Sequence, residues 1–140
     1  MRARDDAGSV SVLTIGLLAV LLAALVTVMA VTQVQLQRSR LAHAADEVAL
    51  AAADSVDLDR YLRTGEVVLD PDLLRGAAAA QLADSAGRDG LEAAVLVDAS
   101  SPDGFTAEVT LALRVPVLFG ASWLPGRADL TATASARALP

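Results

Sequence analysis

The sequence predicts an α+β protein. We expect a long N-terminal helix, transmembrane in its first half and amphipathic in its second, and then a small domain with one or two short helices and a three-stranded antiparallel meander. An uncharged apolar stretch near the start of the chain, helical spacing of apolar residues after it, and alternating apolar and polar residues beyond residue 90 lead to this prediction. Alternation with a period of two indicates strands with one solvated face, which are typical of antiparallel sheets.

The first element is an apolar helix, because residues 9–37 contain no charged side chain. At about 1.5 Å per residue, a helix of that length exceeds the roughly 30 Å hydrocarbon core of a bilayer. We therefore predict a transmembrane helix over 9–37, with residues 1–8 as a cytoplasmic tail or leader.

The orientation of this helix is not fixed by its flanks, because two arginines precede it and two follow it closely. Everything that can fold lies after the helix, so we favour a single-pass protein of the cell membrane with an extracytoplasmic C-terminal domain. The alternative is a secretory signal peptide cut after Ala30. The apolar run is longer than the usual core of about 7–15 residues in such peptides, which favours the membrane helix.

Small side chains recur along one face of the apolar helix, at spacings of three and four residues. Residues of this kind let two transmembrane helices approach closely. The alternative is that the stripe only reflects the high alanine content of the chain. The stripe is the first predicted helix-packing surface, formed by Gly16, Ala19, Ala23, Thr27 and Ala30.

The helix is predicted to continue outside the membrane as an amphipathic extension over residues 38–55. Residues 33–53 lack proline and glycine and are rich in good helix formers. Apolar residues recur there at spacings of four, three and four, which gives a narrow stripe suited to packing. This second predicted packing surface consists of Leu41, Ala45, Val48 and Ala52.

The predicted small domain comprises residues 56–140. Its clearest helix begins after Asp70, a good N-cap that Pro71 follows, and is expected to end at Gly87. The apolar face of this helix is predicted to include Leu73, Leu74, Ala77, Ala78 and Leu82.

Three strands are predicted after that helix. In the first, residues 91–97, we place Leu91, Ala93, Val95 and Val97 on the inner face. The second alternates from Phe105 to Val115 and stops at Pro116, and the third alternates over 129–137. The loop between these two strands holds Phe119 and Trp123, which we expect to cover a thin core, with a partner or the headgroup region as the alternative.

Composition limits the chemistry available to the chain. The 140 residues include no cysteine, which excludes disulfides and thiolate metal sites, and the net charge of −6 argues against a nucleic-acid partner. His43 is the single histidine, and no nucleophile elbow or phosphate-binding glycine loop is present. We therefore predict no enzyme activity, no cofactor, no metal and no small-molecule substrate.

At the start of the chain, a charged tail and a Gly-Ser junction precede one apolar helix, and an alanine-rich run follows it. The residues that form this pattern are Gly8, Ser9, Arg38, Leu41, Ala44, Ala45, Asp46, Ala49, Leu50, Ala51, Ala52 and Ala53. This layout resembles the TadE/TadG-like proteins of the tight-adherence (Tad/Flp) pilus system, in the short form found beside secretion-pilus genes of actinobacteria. The C-terminal segment 125–137 is similar to the alternating last strand of these proteins.

The resemblance implies a pilin-like minor component of the pilus or of its membrane assembly and secretion platform. The expected partners are the membrane and other pilin-like or pilus-assembly proteins. A prepilin peptidase joins them if the chain is cut between Gly8 and Ser9. Processed pilins of this kind usually carry Glu at the fifth mature position, where this chain has Leu13. That departure argues against a major, polymerising pilin.

A second hypothesis comes from another functional class. The chain would be a membrane-tethered or secreted extracytoplasmic binding module, with the sheet or the Trp123 loop as its binding surface. In that case we expect isolated residues 56–140 to fold and bind a ligand without the helix.

Overall fold

The computed structural model describes residues 5–56, 58–116 and 127–138. The three strands form one antiparallel sheet in the order β1-β2-β3. The predicted α+β class, with its long first helix and its three-stranded meander, is confirmed. The elements in chain order are α1 (Asp5–Ala53), α2 (Leu58–Thr64), α3 (Pro71–Asp89), β1 (Ala94–Ser100), β2 (Thr106–Pro116) and β3 (Arg127–Arg137).

Helix α1 is a single helix of 49 residues. No proline or glycine interrupts it between Gly16 and its end at Ala53, so neither of the strong helix breakers is present there. Its second half packs against α3, β2 and β3. The apolar stretch and the amphipathic extension therefore form one continuous helix, as the sequence predicts.

Helix α3 begins where the sequence predicts and ends three residues later than predicted. The Asp70 carboxylate accepts hydrogen bonds from the backbone N–H groups of Asp72 (2.9 Å) and Leu73 (3.2 Å), and Pro71 is in the first turn. Gly87 lies inside the helix. The left-handed cap is Gly90, with φ of 68°, and the N–H of Leu91 bonds to the Ala86 carbonyl at 3.1 Å.

The predicted faces of β1 are wrong. Val95 and Val97 are 60% and 61% exposed, whereas Leu96 is half-buried on the inner face and pairs with Leu111 of β2. The pairing also shifts by one residue between Leu96 and Asp98, which is a β-bulge. Pairing with the strongly alternating β2 therefore sets which side of β1 is buried.

The turn between β1 and β2 is held by Asp103. Its carboxylate accepts hydrogen bonds from the N–H groups of Phe105 (2.9 Å) and Thr106 (2.6 Å) and from the Thr106 hydroxyl (2.8 Å). The bond from Phe105, followed by those from Thr106, lowers the pKa of Asp103 below its usual range. Gly104, with φ of 76°, supplies the left-handed backbone position that the turn requires.

Strands β2 and β3 follow the predicted alternation and pair without a bulge from Thr106–Arg137 to Pro116–Arg127. Of the predicted inner residues of β2, Phe105 differs, because it is 42% exposed and precedes the strand. Pro116 ends β2, as predicted. Phe119 and Trp123 lie outside the described residues, so their predicted role stays a prediction.

The core of the small domain is shared with α1. Among the described residues, the first helix contributes seven buried apolar side chains, and more than half of the whole buried core is alanine. A boundary at residue 56 therefore does not separate two independent cores. The seven residues from α1 are Leu41, Ala44, Ala45, Val48, Ala49, Ala52 and Ala53.

Candidate packing surface on the long helix

The first half of α1 presents an apolar surface that the other described residues leave uncovered. Exposed large apolar side chains run from Val10 to Leu36, and Leu13 is 73% exposed. An 18-residue stretch of α1 has a mean hydropathy of 2.8, and none of it is buried within the part of the chain that the structure describes. By length and composition, the helix fits a membrane anchor. The cost of leaving so much apolar surface in water indicates that lipid or other helices cover it.

Three threonines in this half satisfy their hydroxyl hydrogen bonds inside the helix. The hydroxyls of Thr14, Thr27 and Thr32 each donate to the carbonyl four residues earlier, at 2.8 Å. Such bonds let threonine enter a hydrocarbon environment without an unpaired donor. They are therefore compatible with burial in lipid or between helices.

The predicted stripe of small residues is not covered in this single chain. A Cβ atom added to Gly16 would meet nothing within 4 Å. Ala19, Ala23 and Thr27 are exposed, and Ala30 is half-buried. At 3.6 residues per turn, the five stripe residues lie within about 40° of the direction of Leu41. The stripe therefore continues, toward the N-terminus, the helix face that the small domain covers.

The second predicted stripe lies inside the chain's own domain. Leu41, Val48 and Ala52 have no exposed surface, and Ala45 is 1% exposed. These residues belong to the core that α1 forms with α3 and the sheet. The structure does not bring them together with the stripe Gly16 to Ala30, because the two sets occupy successive lengths of one helix face.

A polar contact between α1 and α3 was not predicted from the sequence. The hydroxyl of Ser85, which has no exposed surface, donates to the Glu47 carboxylate at 3.1 Å. Arg88 lies 3.8 Å from the same carboxylate and 2.8 Å from that of Asp84. Ser85 falls on the helical spacing of Leu74 and Leu82, so periodicity could have identified it as buried. Nothing local in the sequence indicated Glu47 as its partner.

A second polar contact lies on the outer face of the sheet. Arg114 donates to the Asp129 carboxylate at 2.7 Å, across the β2–β3 pair. The hydrogen bond to Asp129, and then its negative charge, raise the pKa of Arg114 above its usual range. Both side chains are largely exposed, so the pair contributes little to stability.

The described residues offer surfaces for packing. No group of three or more metal-ligating side chains comes together within them. His43 is exposed on α1. A pocket of about 190 Å³ lies where α1 meets the sheet, lined by Gln37, Gly90, Glu92, Ala93, Leu113, Arg114 and Val115.

Fold and surface together define a protein with one helix long and apolar enough to cross a membrane and a small α+β domain packed on its polar half. Residues 8–55 match the family model Tad, described as Flp pilus-assembly TadE/G-like. The predicted resemblance to TadE/G-like proteins is confirmed for that segment of the chain. No curated protein and no solved structure matches the chain.

The family match coincides with the long helix. It begins at Gly8, covers all the apolar stretch, and ends just beyond Ala53, the last residue of α1. All the residues that carry the N-terminal resemblance lie inside it. The resemblance noted for 125–137 lies outside the matched segment and stays a prediction.

Proposed function

We propose that the protein is a pilin-like minor structural component of a Tad/Flp-type pilus or of its membrane assembly and secretion platform. It acts by helix packing and not by catalysis. The observation that carries this proposal is the coincidence of the family match, residues 8–55, with a helix whose apolar half is uncovered in the single chain. A family concerned with pilus assembly and an unpartnered apolar helix both point to association within a membrane or a filament.

The proposed arrangement places residues 9–37 in the cell membrane, residues 1–8 in the cytoplasm and the small domain outside. The polar contacts of the domain support this arrangement, because they all lie beyond the apolar half of α1. The partners are other pilin-like or pilus-assembly proteins that present helices of the same kind. We expect neither a small-molecule substrate nor a nucleic acid as a partner.

Processing after Gly8 remains part of the proposal, with a prepilin peptidase as the partner that would cut the chain. A new amine at Ser9 would enter an apolar environment with Leu13, and not an acidic residue, at the fifth position. An unpaired charge there is costly. Intact mass of the protein from its native membrane distinguishes a cut filament subunit, which starts at Ser9, from a permanent anchor, which starts at Met1.

Ala23→Ile tests packing through the small stripe. The added side chain projects from the middle of the stripe and keeps a partner helix at a distance, while the helix remains as apolar as before. We expect membrane insertion to be unchanged and the recovery of co-purified partner proteins from native membranes to fall about tenfold.

Ala24→Ile is the matched control for this test. It makes the same chemical change one residue along, about 100° away around the helix, and therefore off the stripe. Both alanines are exposed in the single chain. Equal partner recovery with Ala23→Ile, Ala24→Ile and the unchanged protein would contradict packing through the stripe.

The alternative function, a membrane-tethered or secreted binding module, is favoured by one observation. Val95 and Val97 are exposed on the outer face of β1, where a ligand could reach them. The domain is continuous with α1 through its core, so a binding module of this kind also needs the second half of the helix. Ligand binding by a chain that lacks only the apolar half would favour this alternative.

A further inference from the structure

The small domain begins on α1 before the apolar stretch ends. Ala30, Val34 and Gln37 are already half-buried, while apolar side chains on other faces remain exposed as far as Leu36. No linker separates the apolar helix from the domain, because α1 is continuous to Ala53. In a membrane, the helix would therefore fix the height of the domain above the bilayer.

The end of the sheet where β2 stops and β3 starts lies at this level of α1. Leu113 and Arg114 share a pocket with Gln37, and β2 runs on to Pro116, which pairs with Arg127. At about 3.3 Å per residue, these last residues extend roughly 7–10 Å farther along the apolar half. The opposite end of the sheet lies beyond the end of α1. It is close to Leu69, whose N–H donates a hydrogen bond to the Gly104 carbonyl.

A span of about 20 residues crosses the hydrocarbon core, so a span that starts near Val10 ends near Ala30. The next turns of α1 then lie among the headgroups. Because the β2–β3 end of the sheet reaches back alongside these turns, it lies at the height of the headgroup layer.

The charges of the domain differ between its two ends. Arg38, Arg114 and Arg127 are exposed at the β2–β3 end, although the whole chain has a net charge of −6. Two acidic residues, Glu92 and Asp129, also lie there, and Asp129 is paired with Arg114. The opposite end is rich in carboxylates, which include those of Asp54, Asp70, Asp72 and Asp103, although Arg75 and Arg137 also lie there.

We propose that this end of the sheet docks on the anionic phospholipid headgroups of the membrane that α1 spans. The docking surface consists of Arg38, Arg114 and Arg127, and this inference rests on the proposed membrane insertion of α1. Arginine binds phosphate in a planar, bidentate geometry, and anionic lipid surfaces attract basic side chains within a Debye length. Docking would hold α1 at one tilt, and with it the domain in one orientation, with the acidic end away from the membrane.

The absence of cysteine from the chain allows a clean test by spin labelling. A nitroxide is attached in the Thr131→Cys variant, on the outer face near Asp129, and the full chain is placed in nanodiscs of phosphatidylcholine alone or mixed with phosphatidylglycerol. The measured quantity is the collision rate of the label with an aqueous nickel complex. We expect a lower rate in the anionic discs, with the difference lost in high salt.

The Arg114→Gln/Arg127→Gln double variant should abolish the lipid difference, with the ratio of docked to undocked domain falling by about tenfold. The matched control is Arg75→Gln/Arg137→Gln, which removes the same charge from the other end and should keep the difference. Equal collision rates in both kinds of disc, or equal effects of the two double variants, would overturn the proposal.

A second label keeps this test separate from the test of membrane insertion. A nitroxide in the Leu21→Cys variant should be shielded from the nickel complex in both kinds of disc. If this label is accessible to water, both the membrane anchor and the docking fail. If it is shielded while the Thr131→Cys label does not respond to lipid charge, docking alone is wrong.

Discussion

Leu41→Ala is expected to destabilise the small domain by about 2–5 kcal/mol, because it empties a fully buried site in a core with little material to fill the gap. Many neighbours of Leu41 in that core are alanines, whose short side chains cannot move far enough to close a cavity. Small domains have total stabilities of about 5–15 kcal/mol, so the loss is a large fraction of the whole.

Pulse proteolysis in urea, with the full chain in detergent micelles, measures this effect at the level of the domain. The apolar helix contributes little to the readout, because the protease cuts the chain only where the domain opens. Leu50→Ala is the matched control on the same helix, since Leu50 is 58% exposed. The same urea midpoint for both variants would show that Leu41 does not lie in a packed core.

The alanine-rich core explains why α1 lies so close to the sheet. Small side chains on α1, including Ala45 and Ala52, share one core with inner residues of the sheet that include Ala107 and Ala134. Short side chains on both sides let a helix approach closely but bury little apolar area for each residue. The domain therefore depends on a long stretch of helix to collect enough buried surface, and this stretch is the second half of α1.

Local patterns in the sequence were sufficient to predict most of the elements of the fold. The uncharged stretch, the spacing from Leu41 to Ala52, the Asp70–Pro71 cap and the alternation of β2 and β3 each depend on residues that are neighbours in the chain. In such cases, helical or strand period alone fixes which side chains face inward. These elements were accordingly predicted with the correct type, although Leu73, which was placed on the apolar face of α3, is 51% exposed.

The errors occurred where a distant contact decides between two local possibilities. Residues 93–97 are apolar on both faces of the strand, so alternation does not show whether Val95 or Leu96 faces the core. The pairing of Leu96 with the buried Leu111 determines that Leu96 does. The end of α3 was predicted at Gly87, whereas the cap is Gly90. The deciding factor was the bond from the N–H of Leu91 to the Ala86 carbonyl, together with burial of Leu91.

For the candidate packing surface on α1, the sequence predicts the position of the stripe but not its relation to the small domain. The stripe from Gly16 to Ala30 could be located from spacing, because the helix is straight enough for residues three and four apart to share a face. Its relation to the domain could not be inferred, since only the structure shows that Ala30 and Val34 begin the covered face. The contact of Ser85 with Glu47 joins residues 38 positions apart, so no local pattern in the sequence predicts it.

A chain of residues 56–140 is expected not to fold, whereas a chain of residues 38–140 should fold without the apolar half. The shorter fragment lacks the seven core residues of α1, so the inner faces of α3 and the sheet would be exposed to water. At about 0.8 kcal/mol for each buried methyl group and 1.5–3 for Leu41 and for Val48, the loss is on the order of 7–10 kcal/mol. That is as large as the stability of a typical small domain.

Amide dispersion in ¹H–¹⁵N spectra measures this difference directly. We expect dispersed strand resonances from 38–140, collapsed resonances from 56–140, and recovery when a peptide of residues 38–55 is added to the shorter fragment. The added peptide shows whether the fragment fails to fold because it lacks the packing of α1 or because the chain was cut. It restores the missing packing without restoring the chain connection. A dispersed spectrum from 56–140 alone would make the domain independent of α1. It would then favour the separate binding module over a protein whose domain and helix work as one unit.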